Sequence, residues 1–366
     1  MTKVIISGGG TGGHIFPAIA IAKAIKKLEP DSDILFIGAN GRMEMEKVPA
    51  AGFRIEGLPV SGFQRRLTLK NVMFPFRLAA SMIRARWIVR SFGPDIVIGV
   101  GGYASGPTLR TASALGIPTL IQEQNSYPGI TNRILAPKAG RICVAYDGME
   151  KYFPASKILL TGNPVREDIL NIRNKDPEAY DYFRLDPARK TVLVTGGSLG
   201  SGTINDSIMS CIGMNLDREV QFLWQTGKNY YESILVQLSD GSYPNVRVHA
   251  FIDRMDLAYS CADLVVSRAG ALAISEICVA GKPAILIPSP NVAEDHQTRN
   301  ARALEEKQAA ILLKDGEARQ GLYSMIREVM RDGKKSALLA GNVSKLAITD
   351  AADRIAREAM KLKKKR

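Results

Sequence analysis

Apolar residues gather along this chain in short runs broken by glycines and by helical stretches. The first run, Lys3-Val4-Ile5-Ile6-Ser7, stops at Gly8-Gly9-Gly10-Thr11-Gly12-Gly13 and gives way to a helical pattern. A later run, Lys190-Thr191-Val192-Leu193-Val194-Thr195, stops at Gly196-Gly197-Ser198-Leu199-Gly200-Ser201-Gly202 and does the same. A β-branched strand that ends in glycines and leads into a helix opens a β-loop-α unit, and here that opening occurs twice. Further strands are predicted at Ile34–Ile37, Ile96–Val100, Thr119–Gln122 and Arg141–Ala145, then at Gln221–Gln225, Val246–Phe251, Leu264–Ser267 and Ala284–Pro288. Helical periodicity separates most of them, so the sheets should be parallel with right-handed crossovers. The expected fold is α/β, with two Rossmann-like parallel-sheet domains facing a central cleft. The domains are expected at 1–162 and 167–345, with a linker at 163–166 where Gly162-Asn163-Pro164-Val165-Arg166 punctuates the chain. Open parallel sheets hold ligands beyond the carboxyl ends of their strands, which puts the chemistry in that cleft.

Composition narrows the class. The chain has 366 residues, 46% apolar and 23% charged, which suits two globular domains and excludes wholesale disorder. Cys143, Cys211, Cys261 and Cys278 are scattered, with no C-x-x-C pair. That excludes a zinc ribbon and a secreted disulfide framework, and predicts reduced, mostly buried thiols in a cytosolic protein. No apolar run reaches the roughly 18 residues of a spanning helix, and the apolar stretch before Gly8 is too short for a signal peptide. The net charge of +13 calls for an anionic partner: nucleic acid, a phosphorylated ligand or an anionic membrane.

The glycine loops are the first candidates for chemistry. Glycine lets backbone approach a ligand, and a helix N-terminus presents N–H groups to an anion. Gly8, Gly10 and Gly13 satisfy G-x-G-x-x-G, but the second strand ends Ile37-Gly38-Ala39-Asn40 without the acid that a nicotinamide enzyme uses on its ribose. A third loop, Gly101-Gly102-Tyr103-Ala104-Ser105-Gly106-Pro107, follows another strand. His14 closes the first loop and titrates near neutrality, so it can take a proton from a hydroxyl; a capping or core histidine is the plainer alternative. His249 reads as structural and His296 as a loop residue within reach of a ligand. Ser267-Arg268-Ala269-Gly270 leads into Ala271, Leu272, Ala273, Ile274, Ser275 and Glu276, a helix start suited to a diphosphate, with Glu276 placed to accept ribose hydroxyls. Asp31-Ser32-Asp33 matches a metal-binding D-x-D pattern but falls in the turn before a strand, away from the predicted cleft; no metal is expected there.

The charge is concentrated. From Gly57 to Pro94 there is no Asp or Glu, while Arg65, Arg66, Lys70, Arg77, Arg84, Arg86 and Arg90 alternate with Met73, Phe74, Phe76, Trp87 and other apolar residues. Cations mixed with bulky apolar groups suit contact with anionic lipid. The alternative is an amphipathic helix with a basic outer face, since Met82, Ile83 and Trp87 share helical spacing and would pack on the sheet. No nucleic-acid motif is visible. The tail Lys361-Leu362-Lys363-Lys364-Lys365-Arg366 either adds attraction to lipid or is a solvated end.

Together these motifs resemble the MurG family, the peripheral membrane N-acetylglucosaminyltransferases of peptidoglycan synthesis within glycosyltransferase family 28. The likeness covers essentially the whole chain and is carried, in order, by Gly8–Pro17, Gly101–Pro107, Gln122-Glu123-Gln124-Asn125, Gly162–Arg166, Gly196–Gly200, Phe251-Ile252-Asp253 and Arg268–Leu272. It implies a GT-B fold, with a last helix near 346–366 crossing back to the first domain. The implied reaction is inverting transfer of N-acetylglucosamine (GlcNAc) from UDP-GlcNAc to the 4-hydroxyl of the muramoyl sugar of lipid I, giving lipid II, without a metal or other cofactor. Donor contacts would fall on Thr11, Gly12, Gly13, Asn125, Arg166, Ser198, Ile252 through its backbone, Ala271 through Glu276, and Gln297. Ser198, Arg166 and the helix start at Gly270 would face the diphosphate. His296 stands where other forms carry a first Gln before Gln297. Acceptor contacts would fall on Gly10, Thr11, Gly102, Tyr103, Ser105, Glu123 and Asn125, with His14 as the base. Partners would be UDP-GlcNAc, lipid I, an anionic bilayer at the cytoplasmic face of the inner membrane, and other cell-wall synthesis proteins, with no nucleic acid. A related lipid galactosyltransferase and a non-catalytic nucleotide-sugar-binding module are the competing readings.

Overall fold

The computed structural model describes residues 1–60, 74–197, 199–214, 216–239, 241, 243–292 and 295–364. The chain divides into two compact units, Met1–Arg166 with Asp350–Arg366, and Glu167–Thr349.

The first unit is built on a seven-stranded sheet in the order β3-β2-β1-β4-β5-β6-β7. The strands are β1 (Lys3–Ser7), β2 (Asp33–Ala39), β3 (Arg54–Leu58), β4 (Ile96–Gly99), β5 (Thr119–Glu123), β6 (Arg141–Val144) and β7 (Ile158–Leu160). Every pairing is parallel, with Val4 opposite Ile34 on one side and Ile96 on the other. Parallel strands need crossover segments, and helices fill most of them, covering both faces of the sheet. One face carries Val4, Ile6, Ile34, Ile96 and Ile98 under the helix Gly12–Leu28, and the C-terminal helix Ala351–Leu362 adds Ile355, Ala356 and Ala359 to the same cluster. The other face carries Ile5, Leu35, Val97 and Ile121 under Ile88, Val89 and Leu109 of the helices Phe74–Phe92 and Ser105–Ala114.

The second unit repeats the plan with six parallel strands in the order β10-β9-β8-β11-β12-β13. These are β8 (Thr191–Thr195), β9 (Gln221–Gln225), β10 (Val246–His249), β11 (Leu264–Ser267), β12 (Ala284–Leu286) and β13 (Ile311–Leu312). Trp224 and Phe222 anchor its core, both fully buried.

In each sheet the chain leaves one central strand toward one edge and returns to its neighbour before building the other edge. Loops diverge at that switch point and leave a crevice. In the first unit the switch lies between β1 and β4, whose carboxyl ends carry the loops at Gly8 and Gly101. In the second it lies between β8 and β11, whose carboxyl ends carry the loop at Gly196 and the Arg268-Ala269-Gly270 turn.

Three strands escaped the sequence pattern: β3, β7 and β13, each an outermost strand. The predicted strand Val246–Phe251 ends at His249, and Ala284–Pro288 ends at Leu286. The Asp31-Ser32-Asp33 turn leads into β2, where Asp33 pairs with Arg54 at 2.5 Å.

Candidate functional site

The first unit brings its two predicted glycine loops into backbone contact. A Cβ added at Gly102 would lie 2.3 Å from the Gly9 carbonyl oxygen, and one added at Gly8 would lie 2.1 Å from Val100 Cγ2. Only glycine allows this approach. The His14 ring sits against the same seam. Its Nδ1 is 3.3 Å from Thr11 Oγ1, and a Cβ at Gly101 would lie 2.8 Å from Cδ2 and 2.9 Å from Nε2. Gly101 is in the left-handed region at φ +91°, so the ring occupies the space that a side chain there would fill.

The helix that follows starts at Gly12 with no acid in its first turn and no side-chain cap from Thr11. The amides of Gly12 and Gly13 therefore lie where N–H groups have no intrahelical acceptor, the feature that draws anions to helix starts. Gly10 is placed differently. Its N–H donates to the Glu44 carboxylate at 2.9 Å, and the other oxygen of that carboxylate accepts from Ala39 N–H at 2.9 Å. Gly10 shapes the loop, but its amide is already committed. Glu44 is 1% exposed, and sequence reasoning missed it because it opens Glu44-Met45-Glu46-Lys47, which reads as a solvated helix turn.

The acceptor-side residues divide between surface and support. Tyr103 is half-exposed on the Gly101–Pro107 loop. Ser105 is fully buried, and its hydroxyl donates to the carbonyls of Ser7 at 2.7 Å and Gly101 at 2.8 Å, so it braces the loop from beneath. Glu123 is likewise buried. Its carboxylate accepts from Asn125 N–H and Asn125 Nδ2, from Gly129 N–H and from Asn132 Nδ2, while burial pushes its pKa upward. It shapes the Asn125–Gly129 turn instead of facing outward. Asn125 itself is half-buried at the surface of that turn. Behind it, Gln122 Nε2 donates to Asn163 Oδ1, Asn163 Nδ2 donates to the Gln124 carbonyl, and Gln124 Nε2 donates to the Val100 carbonyl. Buried amides joined this way rigidify a loop base, and they tie two motifs that stand far apart in sequence. Arg166, half-buried, closes this segment.

In the second unit the loop after β8 contains Ser198, which lies outside the described residues. Its neighbours Gly197 and Gly200 have φ of +85° and +78°, and a Cβ at Gly200 would lie 2.0 Å from the Thr226 carbonyl oxygen. Ile252 is buried, and its N–H donates to Gln225 Oε1 at 2.8 Å. The helix Ala271–Ala280 starts at Gly270 without an acid or side-chain cap. Ala271 and Ile274 are buried, while Leu272, Ala273, Ser275 and Glu276 are half-buried. The buried Tyr259 hydroxyl lies 3.3 Å from Glu276 Oε2. Gln297 is half-buried, with its carbonyl oxygen accepting from Ser289 N–H at 2.8 Å. His296 beside it opens a helix, and His249 packs edge-on to Phe183 with its pKa lowered by burial. The four cysteines are buried, which pushes each thiol up to about 12. Among the described residues, no three His, Cys, Asp or Glu side chains cluster as metal ligands would.

Within the described part of the basic segment, Phe74–Phe92 is an amphipathic helix whose arginines face outward as expected, while its bulky apolar residues do not all face inward. Arg65, Arg66, Lys70 and Met73 lie outside the described residues. From Phe74 to Phe92 the helix buries Ser81, Ala85, Ile88 and Val89, while Phe76, Ile83 and Trp87 are 67%, 72% and 67% exposed. Ile83 and Trp87 therefore do not pack on the sheet. Small residues at 81 and 85 let the helix approach the Ser105–Ala114 helix closely, and the bulky ones face out. Phe76, Ile83 and Trp87 form one stripe at helical spacing, with Arg77 and Arg84 on one side and Arg86 and Arg90 on the other. Phe74 is half-buried, and Arg84 lies 3.3 Å from Glu56. From Gly57 to Tyr146 the only carboxylates are Asp95 and Glu123, both buried, against eleven Lys and Arg. No helix of the described residues is long and apolar enough to cross a membrane.

Residues 4–144 match the glycosyltransferase family 28 N-terminal domain, and residues 191–355 match its C-terminal domain. The chain is 55% identical over 364 residues to a UDP-N-acetylglucosamine–N-acetylmuramyl-(pentapeptide) pyrophosphoryl-undecaprenol N-acetylglucosamine transferase of Bacteroides fragilis, covering 98% of this chain and 95% of that protein. It is 54% identical to the transferase of the same name from Parabacteroides distasonis, covering 98% of each. The crystal structure of Acinetobacter baumannii MurG superposes with a TM-score of 0.79 at 27% identity, covering 99% of this chain and 100% of that one. With a GT-B architecture of two parallel-sheet units and this degree of identity along nearly its whole length, the chain belongs to glycosyltransferase family 28, in the N-acetylglucosaminyltransferase branch of peptidoglycan synthesis.

Proposed function

We propose that the two loop seams divide the substrates of a single displacement, with acceptor chemistry on the first unit and donor binding chiefly on the second. The chain is a UDP-GlcNAc-dependent N-acetylglucosaminyltransferase that forms lipid II from lipid I. The observation that carries the division of labour is the His14 seat. A titratable ring rests on Gly101 at the switch point of the first sheet, beside a helix start suited to an anion. If Nδ1–H donates to Thr11 Oγ1, Nε2 keeps its lone pair and is the atom that takes the proton from the attacking hydroxyl. The helix start at Gly270 and Arg166 stabilise the leaving diphosphate, so no divalent ion is needed. Glu276 holds the ribose, the Ile252 carbonyl meets the base, and the acceptor diphosphate lies against Gly12, Gly13 and the Gly102-Tyr103 turn.

This assignment is tested by supplying labelled UDP-GlcNAc with lipid I in anionic vesicles. Transfer should proceed unchanged in EDTA, and loss of turnover on chelation would remove the metal-free leaving-group scheme. The competing lipid galactosyltransferase reading predicts instead that UDP-galactose is the better donor.

The stripe of Phe76, Ile83 and Trp87 between paired arginines supports docking on the anionic cytoplasmic leaflet. An exposed apolar patch rimmed by cations fits a lipid surface, with about 1 kcal/mol from each basic residue near it. Reversing the charge of Arg77, Arg84 and Arg86 together should lower partitioning onto anionic vesicles by about 10²-fold or more. Co-sedimentation that ignores both this change and the anionic lipid fraction would contradict the docking face.

A further inference from the structure

We infer that Gln225 sets the register between the diphosphate loop of the second unit and its base-binding segment, and is therefore a positioning residue for the nucleotide donor. The inference depends on the donor assignment above. Gln225 is the last residue of β9 and is 4% exposed. Its Oε1 accepts from Ile252 N–H at 2.8 Å. Its Nε2 donates to the Gly197 carbonyl at 3.1 Å and to Thr195 Oγ1 at 3.2 Å. Thr195 Oγ1 in turn accepts from Gly197 N–H at 3.2 Å.

One amide group thus has its oxygen committed to the segment that would meet the base and its nitrogen committed to the loop that would meet the phosphates. Those segments follow different strands, β10 and β8, and Gln225 sits on the strand between them. A core polar residue that merely satisfied its neighbours could bond within one segment. This one spans two, and each would contact a different part of the same ligand. Gly197 is held at φ +85°, so the loop has an alternative it can relax into when the tether is cut.

The two ends can be cut separately. Gln225→Glu keeps an acceptor for Ile252 N–H but has no donor for the Gly197 carbonyl. Gln225→Met keeps the length of the side chain and loses both ends without adding charge. The full chain is titrated with uridine and with UDP by calorimetry, with unfolding midpoints as a check on folding. For Gln225→Glu, uridine affinity should stay within about twofold and UDP affinity should fall by about tenfold or more, the range for an unpaired buried polar group. For Gln225→Met, both should weaken, UDP by the larger factor, which separates the lost tether from the added charge of Glu. Simple loss of folded protein would scale both ligands equally. Equal losses for uridine and UDP in Gln225→Glu, or no loss in either variant, would overturn the inference. Wild-type protein that binds neither ligand would bring down the donor assignment itself, a failure distinguishable from the first.

Discussion

Replacing His14 by alanine is expected to lower kcat by about 10²–10⁴-fold, the usual contribution of a positioned general base. Donor affinity should barely change, because the contacts proposed for the base, ribose and diphosphate lie mainly elsewhere. The fold should tolerate the change, since His14 is half-buried at the surface end of its helix and its ring fills no core position. The discriminating readout is the pH profile of kcat. Wild-type turnover should fall on the acid side as the imidazole takes up a proton, and the variant should lose that limb along with its rate. A folded His14→Ala protein with full turnover would take the base role away from this residue.

Gly101→Ala is the second large effect, and it should be almost as severe although Gly101 bears no reacting group. The added methyl would lie 2.8–2.9 Å from the His14 ring, closer than real contacts allow. Something must move, and the ring is the freer partner because Gly101 is fixed between buried Val100 and the Gly9–Gly102 contact. The positive φ adds strain of about 1–3 kcal/mol, well below the 5–15 kcal/mol stability of a typical domain, so the protein should still fold. Catalysis has less margin: displacing a reacting group by about 1 Å can cost about 10²-fold. Gly101→Ala is therefore expected to stay folded by circular dichroism, bind UDP normally and lose about 10²-fold in kcat. Unchanged kcat would show that the ring has slack, and the seat would not be a determinant of the chemistry.

The sequence conveyed the central strands of both sheets and little of their edges. Ile96–Gly99 and Leu264–Ser267 are buried on both faces, so they read as unbroken apolar runs. The missed strands β3, β7 and β13 lie at sheet edges, where a strand is only partly buried and its hydrophobic signal is weak; β7 and β13 are also only three and two residues long. The glycine loops were legible because close backbone approach demands glycine at specific places. The groups that hold those loops were not. Glu44 and Gln225 look like an ordinary helix acid and a strand-end amide until tertiary structure brings distant backbone amides to them. On the Phe74–Phe92 helix, periodicity named the basic outer face but gave Ile83 and Trp87 to the core side, where they do not lie. Spacing defines stripes, but it does not say which stripe is core when the core-facing stripe is made of small residues. Bulky exposed Ile83 and Trp87 are then better evidence of an outside partner than of a core.

The most direct test of the account is transfer itself: purified full-length protein, lipid I in anionic vesicles, and UDP-GlcNAc labelled in the sugar. One lipid-linked disaccharide is expected, with GlcNAc joined in β configuration to the muramoyl 4-hydroxyl and with UDP released in equal amount. Folded protein that releases UDP without forming that linkage, or that leaves lipid I unchanged, would contradict it.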